Sequence, residues 1–400
     1  MKLFRPLWAL LGCMALALVM WILKPIPNGH LYWRAVLLAF GLAVAWLIYV
    51  ASPKKVLFRK GVLIPILLCG IGFGVKNLAT IKPNVELVPH YQDVFNTLDS
   101  GKNPYTVGTI FHYTDDYKPV FGNFNYPPLE MYPYYLAYRI AGTWNIRVFT
   151  VTILLLHVLA GLLFVLMFPR VRFGFLLPFL PMIVFGEVKT GVAMTLLITA
   201  LILWQIKMDR RKPGGIHRYA IAVLFGLGLM TKFLLIPLMA AYYWHKFDTR
   251  RLRSLLEIAA DVSIAVLTAV LIMAPYGVAN VLKNTILFNV VLKDRAAQTI
   301  FFPNVLSGLM TWIGLETLYS VAAVAILAVA VLVAPRLSLF SAMLTAAYVF
   351  LLVAPTPELQ FIPVIVLIIA AARFMTIEEK EPIVPRVWKP VPAVSPSRPS

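Results

Sequence analysis

The chain has 400 residues, of which 60% are hydrophobic and only 13% are charged, and its formal net charge is +19. Repeated apolar runs close to the roughly 20 residues of a spanning helix exclude a soluble globular enzyme and predict an all-α polytopic membrane protein. The positive charge does not indicate nucleic acid as a partner, because Lys and Arg cluster in short segments between apolar runs, as cytoplasmic loops do.

The first three predicted spans cover residues 7–23, 31–50 and 61–76. A basic cluster from Lys54 to Lys60 separates the second span from the third. Such clusters favour the cytoplasmic side of a membrane. The third span is therefore expected to run outward and to deliver the next segment to the outer face.

Residues 77–146 are predicted to form a large first outer loop. Its centre, from His90 to Pro133, is rich in Gly, Pro, Asn and Asp. Such a segment cannot lie in hydrocarbon, where each unpaired backbone group costs several kcal/mol. Within it, residues 128–141 mix Leu, Met and Tyr with a few charges, which predicts an interfacial helix.

The middle of the chain alternates apolar spans with basic turns. We predict spans at 147–168, 174–186 and 190–206. Residues 219–244 are long enough for one helix, but both flanks are basic and Lys232 stands in the middle. Two short spans that meet at an outer turn at Lys232 satisfy the charge distribution better than one long span.

The last third contains a second outer segment at residues 277–316, expected to form amphipathic helix with a half-membrane piece near 304–312. Four more spans bring the total to about twelve, and a disordered cytoplasmic tail follows at 377–400. Residues 1–376 thus form one transmembrane domain. These four spans are predicted at 255–275, 317–334, 338–354 and 361–375.

Polar side chains that are costly in a membrane gather on the predicted outer side, which indicates an outward-facing site. They are Asp93, Glu187, Lys189, Lys232, Lys293, Arg295, Glu358 and Gln360. Two other polar features are expected to be structural: Glu257 with Asp261 as a pair near the cytoplasmic rim, and His157 as a core histidine.

Four short stretches resemble integral-membrane glycosyltransferases of the GT-C class. Two lie in the first outer loop, Gly101–Tyr105 after Asp93 and Phe124–Leu129, and two lie later, Gly186–Gly191 and Leu229–Phe233. The layout is most similar to the bacterial branch that takes sugars from polyprenyl phosphates, whose best-known members are mannosyltransferases. The resemblance implies a GT-C-like fold with an active site on the outer face of the bacterial inner membrane.

The resemblance also implies roles for residues. Asp93 matches the position of the general base that deprotonates the acceptor hydroxyl, and His90 lies three residues earlier, where on a helix it can orient that base. Asp99 is the rival candidate for the base. Cations are needed where charge develops on the leaving phosphate. The candidates are Lys232, Arg295, Lys293 and Lys189.

The remaining candidate substrate-binding side chains are aromatic or polar. Tyr91, Tyr105 and Tyr126 can stack on sugar rings or cover the polyprenyl groove, although membrane-interface anchoring explains such tyrosines as well. Three further polar residues are expected to face substrate: Glu187, Glu358 and Gln360. Asp99 is expected to do so as well if it is not the base. We predict neither a cofactor nor a metal site, since adjacent carboxylates such as Asp115 and Asp116 are more often solvated charge.

The sequence therefore predicts transfer of a hexose, with mannose as the first candidate, from a polyprenyl-phosphate donor to a lipid or glycan acceptor, among membrane lipids. Two alternatives stay open. One is transport, as a flippase of lipid-linked glycans or a small-solute permease, although a transporter should place polar residues near the midplane. The other is a polymerase or ligase of surface polysaccharide.

Overall fold

The computed structural model describes residues 87–113, 119–168, 192–211, 215–247, 252–292 and 305–353, with residues 361, 364–365, 367–372 and 375 beyond them. The predicted spans at 7–23, 31–50, 61–76 and 174–186 and the predicted tail at 377–400 lie outside the described residues.

The segment predicted as the first outer loop contains two helices and a β-hairpin among its described residues. Helix α1 (Leu87–Asp99) precedes strands β1 (Thr109–Tyr113) and β2 (Pro119–Gly122), and helix α2 (Pro128–Ala141) follows. The strands are antiparallel, with Thr109 opposite Gly122 and Tyr113 opposite Pro119. The prediction of an all-α fold is wrong at this hairpin, because β-branched and aromatic residues in both short runs favour strand.

Helix α2 has the bounds predicted from the sequence. Pro127 is extended before it, and Pro128 opens the first turn, where a missing backbone N–H costs nothing. Gly142 ends the helix in the left-handed conformation with φ of 64°, and its N–H donates to the Tyr138 carbonyl oxygen at 2.9 Å. A residue with a Cβ would be strained at this position.

The rest of the described chain is helical. The α-helices are α3 (Ile146–Met167), α4 (Ala193–Arg211), α5 (Ile216–Leu229), α6 (Leu235–Lys246), α7 (Leu252–Met273), α8 (Val278–Leu282), α9 (Val305–Trp312), α10 (Tyr319–Leu332) and α11 (Leu339–Val353). Shorter elements are 3-10 turns at Ala274–Tyr276, Glu316–Leu318 and Ala334–Arg336 and a π-helix at Lys283–Leu292.

Three of the described helical segments are long and apolar enough to cross a membrane: Ile146–Met167, Arg253–Tyr276 and Glu316–Arg336. Ile216–Leu229 and Leu339–Phe350 are shorter apolar helices. These segments coincide with predicted spans and identify the chain as a membrane protein. Helix α4 also matches a predicted span, but it continues to Arg211, beyond the predicted end at residue 206.

The break predicted at Lys232 is confirmed. Helix α5 ends at Leu229 and helix α6 begins at Leu235. In the turn, the Thr231 N–H donates to the Gly228 carbonyl oxygen at 2.9 Å. A single helix through residues 219–244 is thereby excluded.

Helices α3, α4, α5 and α7 pack in succession, and α6 packs on α11, which also contacts α10. Helices α5 and α7 approach each other closely at Gly226, where an added Cβ would stand 2.4 Å from the Ala265 carbonyl oxygen. Helix α3 leaves an apolar stripe exposed that includes Leu155, Leu162 and Leu166, as expected for a surface in contact with lipid.

The two polar features expected to be structural have structural partners. The Arg218 guanidinium binds Asp261 (Nε to Oδ1, 2.8 Å) and Glu257 (Nη1 to Oε2, 3.3 Å), tying α5 to α7. The His157 ring is buried, and its Nδ1 lies 2.8 Å from the Ile153 carbonyl oxygen. Both predictions are confirmed.

Candidate functional site

An aromatic cluster, defined here as Tyr91, Phe95, Phe124, Tyr126, Tyr134 and Trp144, joins α1 to α2 and to the start of α3. Tyr91 and Phe95, one helical turn apart on α1, are fully buried. The Tyr91 ring lies 5.2 Å from Tyr134 and the Phe95 ring 4.9 Å from Trp144, centroid to centroid. Trp144 Nε1 donates to the Val88 carbonyl oxygen at 2.8 Å, so α1 is fixed at its first turn as well.

The Gly101–Tyr105 stretch anchors the loop after α1. Asn103 Nδ2 donates to the Tyr276 carbonyl oxygen at 2.7 Å, and Asn103 Oδ1 accepts from the Tyr105 N–H at 3.0 Å. The Tyr105 hydroxyl donates to the Tyr126 carbonyl oxygen at 2.7 Å. Asn284 Nδ2 reaches the Tyr105 carbonyl oxygen at 2.8 Å, so this stretch also holds the second outer segment against the first.

A buried ion pair lies where α2 meets the turn between α5 and α6. Lys232 Nζ stands 3.1 Å from Glu130 Oε2 and 4.4 Å from the centroid of the Tyr126 ring. The Tyr91 hydroxyl donates to Glu130 Oε1 at 3.4 Å. Glu130 is fully buried and Lys232 is 8% exposed, so the charges are desolvated and depend on each other.

Backbone and hydroxyl contacts stabilise the same joint, defined here as the junction between α2 and the turn that connects α5 to α6. The Leu129 N–H at the start of α2 donates to the Met230 carbonyl oxygen at 2.9 Å. Thr195 Oγ1 on α4 donates to Thr231 Oγ1 at 3.1 Å, and Thr231 Oγ1 donates to the Gly228 carbonyl oxygen at 2.7 Å. The turn that carries Lys232 is therefore held on two sides, by α2 and by α4.

Helix α1 brings the predicted base to this region. The His90 ring is buried, stacks on Phe124 at 5.3 Å and lies 5.9 Å from the Tyr126 ring. His90 and Lys232 thus contact the same tyrosine, although 141 positions separate them in the chain. Asp93 follows His90 by three residues on α1 and is half-buried, so it keeps access to solvent.

Asp99, the rival candidate, is bound at the other end of α1. Its carboxylate accepts hydrogen bonds from Tyr135 Oη (2.7 Å) and Tyr138 Oη (2.9 Å) and pairs with Arg139 Nη1 at 3.2 Å. The hydrogen bond from Tyr135, followed by those from Tyr138 and Arg139, lowers the pKa of Asp99. A carboxylate held in its ionised form by three donors is poorly suited to take up a proton.

Two of the predicted substrate-binding tyrosines are enclosed. Tyr91 and Tyr105 are buried, and both hydroxyls are used in the contacts given above. Burial, followed by the charge of Glu130, raises the pKa of Tyr91 well above its usual range, so its hydroxyl stays a donor. Tyr126 is half-buried and presents its ring to Lys232.

Six of the predicted site residues lie outside the described residues: Glu187, Lys189, Lys293, Arg295, Glu358 and Gln360. One central residue of the site, Glu130, is not among the residues predicted from the sequence, where it is one of the few charges of the predicted interfacial helix. The signal for it is present in the sequence. Glu130 precedes Met131 and lies one turn before Tyr134, so it falls on the buried face of α2.

Comparisons with family models, with curated proteins and with solved structures find no match to this chain. The helices themselves identify a membrane protein, in which the segment from α1 to α2 is fixed to the helical bundle by the buried ion pair between Glu130 and Lys232.

Proposed function

We propose that the protein is an inverting glycosyltransferase that moves a hexose, with mannose as the first candidate, from a polyprenyl-phosphate donor to a lipid or glycan acceptor. The observation that carries the proposal is the contact of His90 and Lys232 with the same ring, Tyr126. It brings the helix of the candidate base, Asp93, beside the turn of a candidate phosphate-binding cation. Both roles are those that the resemblance to the GT-C class implies.

In the proposed reaction the acceptor oxygen attacks the anomeric carbon of the donor in a single displacement. A bond forms between this oxygen and the carbon, and the bond between the carbon and the phosphate oxygen breaks. The hydroxyl proton passes to the Asp93 carboxylate, and the electron pair of the broken bond stays on the phosphate. Asp93 supplies general-base catalysis and Lys232 stabilises the charge that develops on the leaving phosphate.

The half-burial of Asp93 suits a base that must meet an acceptor from solvent, whereas His90 is enclosed. We therefore assign His90 to positioning α1 against Phe124 and Tyr126. The outer face of a bacterial inner membrane is the proposed place of the reaction, because the basic clusters between spans favour the opposite side. There membrane lipids surround the helices, and the donor phosphate reaches the site from the membrane surface.

The test is transfer of radiolabelled mannose from synthetic polyprenyl-phosphate mannose to membrane lipid extract by purified protein. Asp93→Asn keeps the volume of the side chain and removes the base, so we expect kcat to fall by about two orders of magnitude or more. Asn96→Ala is the matched control, since Asn96 is exposed on the same helix and bonds to Gln92 there.

Each outcome points to a different conclusion. Activity in the wild type and in Asn96→Ala, with loss in Asp93→Asn, supports both the reaction and the base. Equal activity in Asp93→Asn removes Asp93 as the general base and refutes this part of the proposal. Absence of transfer with mannose and with other polyprenyl-phosphate hexoses refutes the proposed function and favours the transport reading.

A further inference from the structure

The two halves of the buried ion pair are not equally enclosed. The Glu130 side chain has no exposed surface, whereas 10% of the Lys232 side chain remains exposed. The carboxylate is held from behind by the Tyr91 hydroxyl, and the ammonium lies against the Tyr126 ring. The Lys232 ammonium is therefore the charge that reaches the surface of the joint, and the Glu130 carboxylate is enclosed within it.

We propose that Glu130 is a positioning residue that keeps Lys232 charged and aimed at the phosphate of the donor. The inference rests on the proposed function, because it takes the ligand of Lys232 to be a polyprenyl-linked phosphate. It assigns to Glu130 a task beyond joining α2 to the turn. A desolvated ammonium is retained only while an anion compensates its charge, and Glu130 is that anion before the donor binds.

The ionisable groups around Lys232 come from several elements. The segment before α2 contributes Tyr126, and α2 contributes Glu130 and Tyr134. Helix α1 contributes Tyr91, which bonds to Glu130, and His90, which contacts the Tyr126 ring. Burial and then the charge of Glu130 raise the pKa of Tyr91 and of Tyr134 well above the usual range, so both stay neutral. Helix α4 approaches the turn with Thr195, which does not titrate.

The consequence is a dependence on pH that appears only when Glu130 is neutralised. In the wild type Lys232 stays protonated through neutral and mildly alkaline pH, where free lysine is also protonated. In Glu130→Gln the buried ammonium loses the carboxylate that lies 3.1 Å away in the wild type, so it releases its proton more readily as the pH rises. The affinity for a phosphate should then fall with rising pH, whereas a role confined to packing would weaken the protein equally at every pH.

The experiment compares wild type, Glu130→Gln, Glu130→Asp and Lys232→Met in the same membrane preparation, from about pH 6 to about pH 9. Donor KM and kcat are measured by mannose transfer. Binding of polyprenyl phosphate without a sugar is measured in parallel. Glu130→Asp keeps the charge, so it serves as the conservative rescue and as a folded comparison if Glu130→Gln is poorly produced.

We expect the KM of Glu130→Gln and its dissociation constant for polyprenyl phosphate to rise at least tenfold over this range. The KM of the wild type and of Glu130→Asp should stay flat, and their dissociation constants for polyprenyl phosphate should change only with the second ionisation of the phosphate near about pH 6. Lys232→Met should be weak at every pH. Because Lys232 also stabilises the charge that develops on the leaving phosphate, kcat of Glu130→Gln should fall together with its donor affinity as the pH rises.

A flat KM in Glu130→Gln with intact wild-type transfer overturns the inference and leaves the proposed function standing. If mannose transfer is absent but binding of polyprenyl phosphate still becomes pH-dependent in Glu130→Gln, the proposed reaction is refuted. The proposed phosphate site at Lys232 is then supported. A wild type that neither transfers mannose nor binds polyprenyl phosphate overturns both.

Discussion

Breaking the ion pair between Glu130 and Lys232 should destabilise the folded protein, and the two single variants should lower the free energy of unfolding by different amounts. At a separation of 3.1 Å the attraction is about 5 kcal/mol with an effective dielectric constant of about 20, much of it offset by desolvation of both charges. Removing one partner of a buried pair costs about 3 to 5 kcal/mol, because the other charge stays buried without compensation.

The structure predicts which variant lies at which end of that range. Lys232→Met removes the cation beside the fully buried Glu130 carboxyl group, whereas Glu130→Gln leaves Lys232 with a tenth of its side chain exposed and with a neutral amide as a neighbour. We expect Lys232→Met to cost about 4 to 5 kcal/mol and Glu130→Gln about 3 kcal/mol. The double variant should cost less than Lys232→Met alone, since it leaves neither charge unpaired.

The assay is reversible unfolding in mixed micelles with increasing SDS, followed by tryptophan fluorescence, for the wild type, both single variants and the double variant. The double-mutant cycle gives the coupling energy between the two side chains, and we expect more than about 3 kcal/mol in favour of the pair, because the double variant costs less than Lys232→Met alone. Additive losses, or single variants that each cost less than about 1 kcal/mol, would show that the pair is solvated in the folded protein, contrary to the structure.

Three further changes test the packing around the site. Gly226→Ala places a Cβ 2.4 Å from the Ala265 carbonyl oxygen, so α5 and α7 must separate; we expect a loss of about 1 to 3 kcal/mol in the same unfolding assay. Trp144→Phe removes the bond to the Val88 carbonyl oxygen, and hydrogen exchange should become faster in the first turn of α1 than elsewhere in that helix. The lowered pKa of Asp99 means that its ionised carboxylate stabilises the folded protein at pH values above the ordinary carboxyl pKa of about 3.9. This stabilisation is lost as the pH falls through the lower pKa that Asp99 has in the folded state. The melting-temperature difference between wild type and Asp99→Asn should therefore be constant above about pH 5 and vanish in strong acid; a difference that disappears near neutrality would contradict it.

Much of the helical layout could be predicted from the sequence because spanning helices depend on local composition. A run of about 20 apolar residues must satisfy its own backbone in hydrocarbon, so α3 and α7 were evident without any knowledge of their neighbours. The break at Lys232 was also predictable, since a charge between two apolar runs with basic flanks favours a turn. Helix α2 follows from Pro127 before it, Pro128 at its first position and the glycine that ends it.

The hairpin was missed because its strands are short and lie in a segment whose polar composition hid their β-branched and aromatic residues. Strand pairing depends on a partner 6 to 13 positions away, and composition alone carries little information about such a contact. The role of Glu130 was missed for a related reason. Its place on the buried face of α2 is visible from helical periodicity, but its cation comes from a turn 102 positions further along the chain.

The sequence by itself determined that this is a helical membrane protein with a polar segment between its spans, because hydropathy and charge act locally and set the position of each helix. Only the tertiary structure decided which polar groups meet. It placed Asp99 among tyrosines and an arginine, joined Lys232 to a carboxylate, and left Asp93 half-buried beside an enclosed histidine. Those contacts depend on how α1, α2 and the turn after α5 pack together, and desolvation at that joint makes each charge depend on a partner distant in the chain.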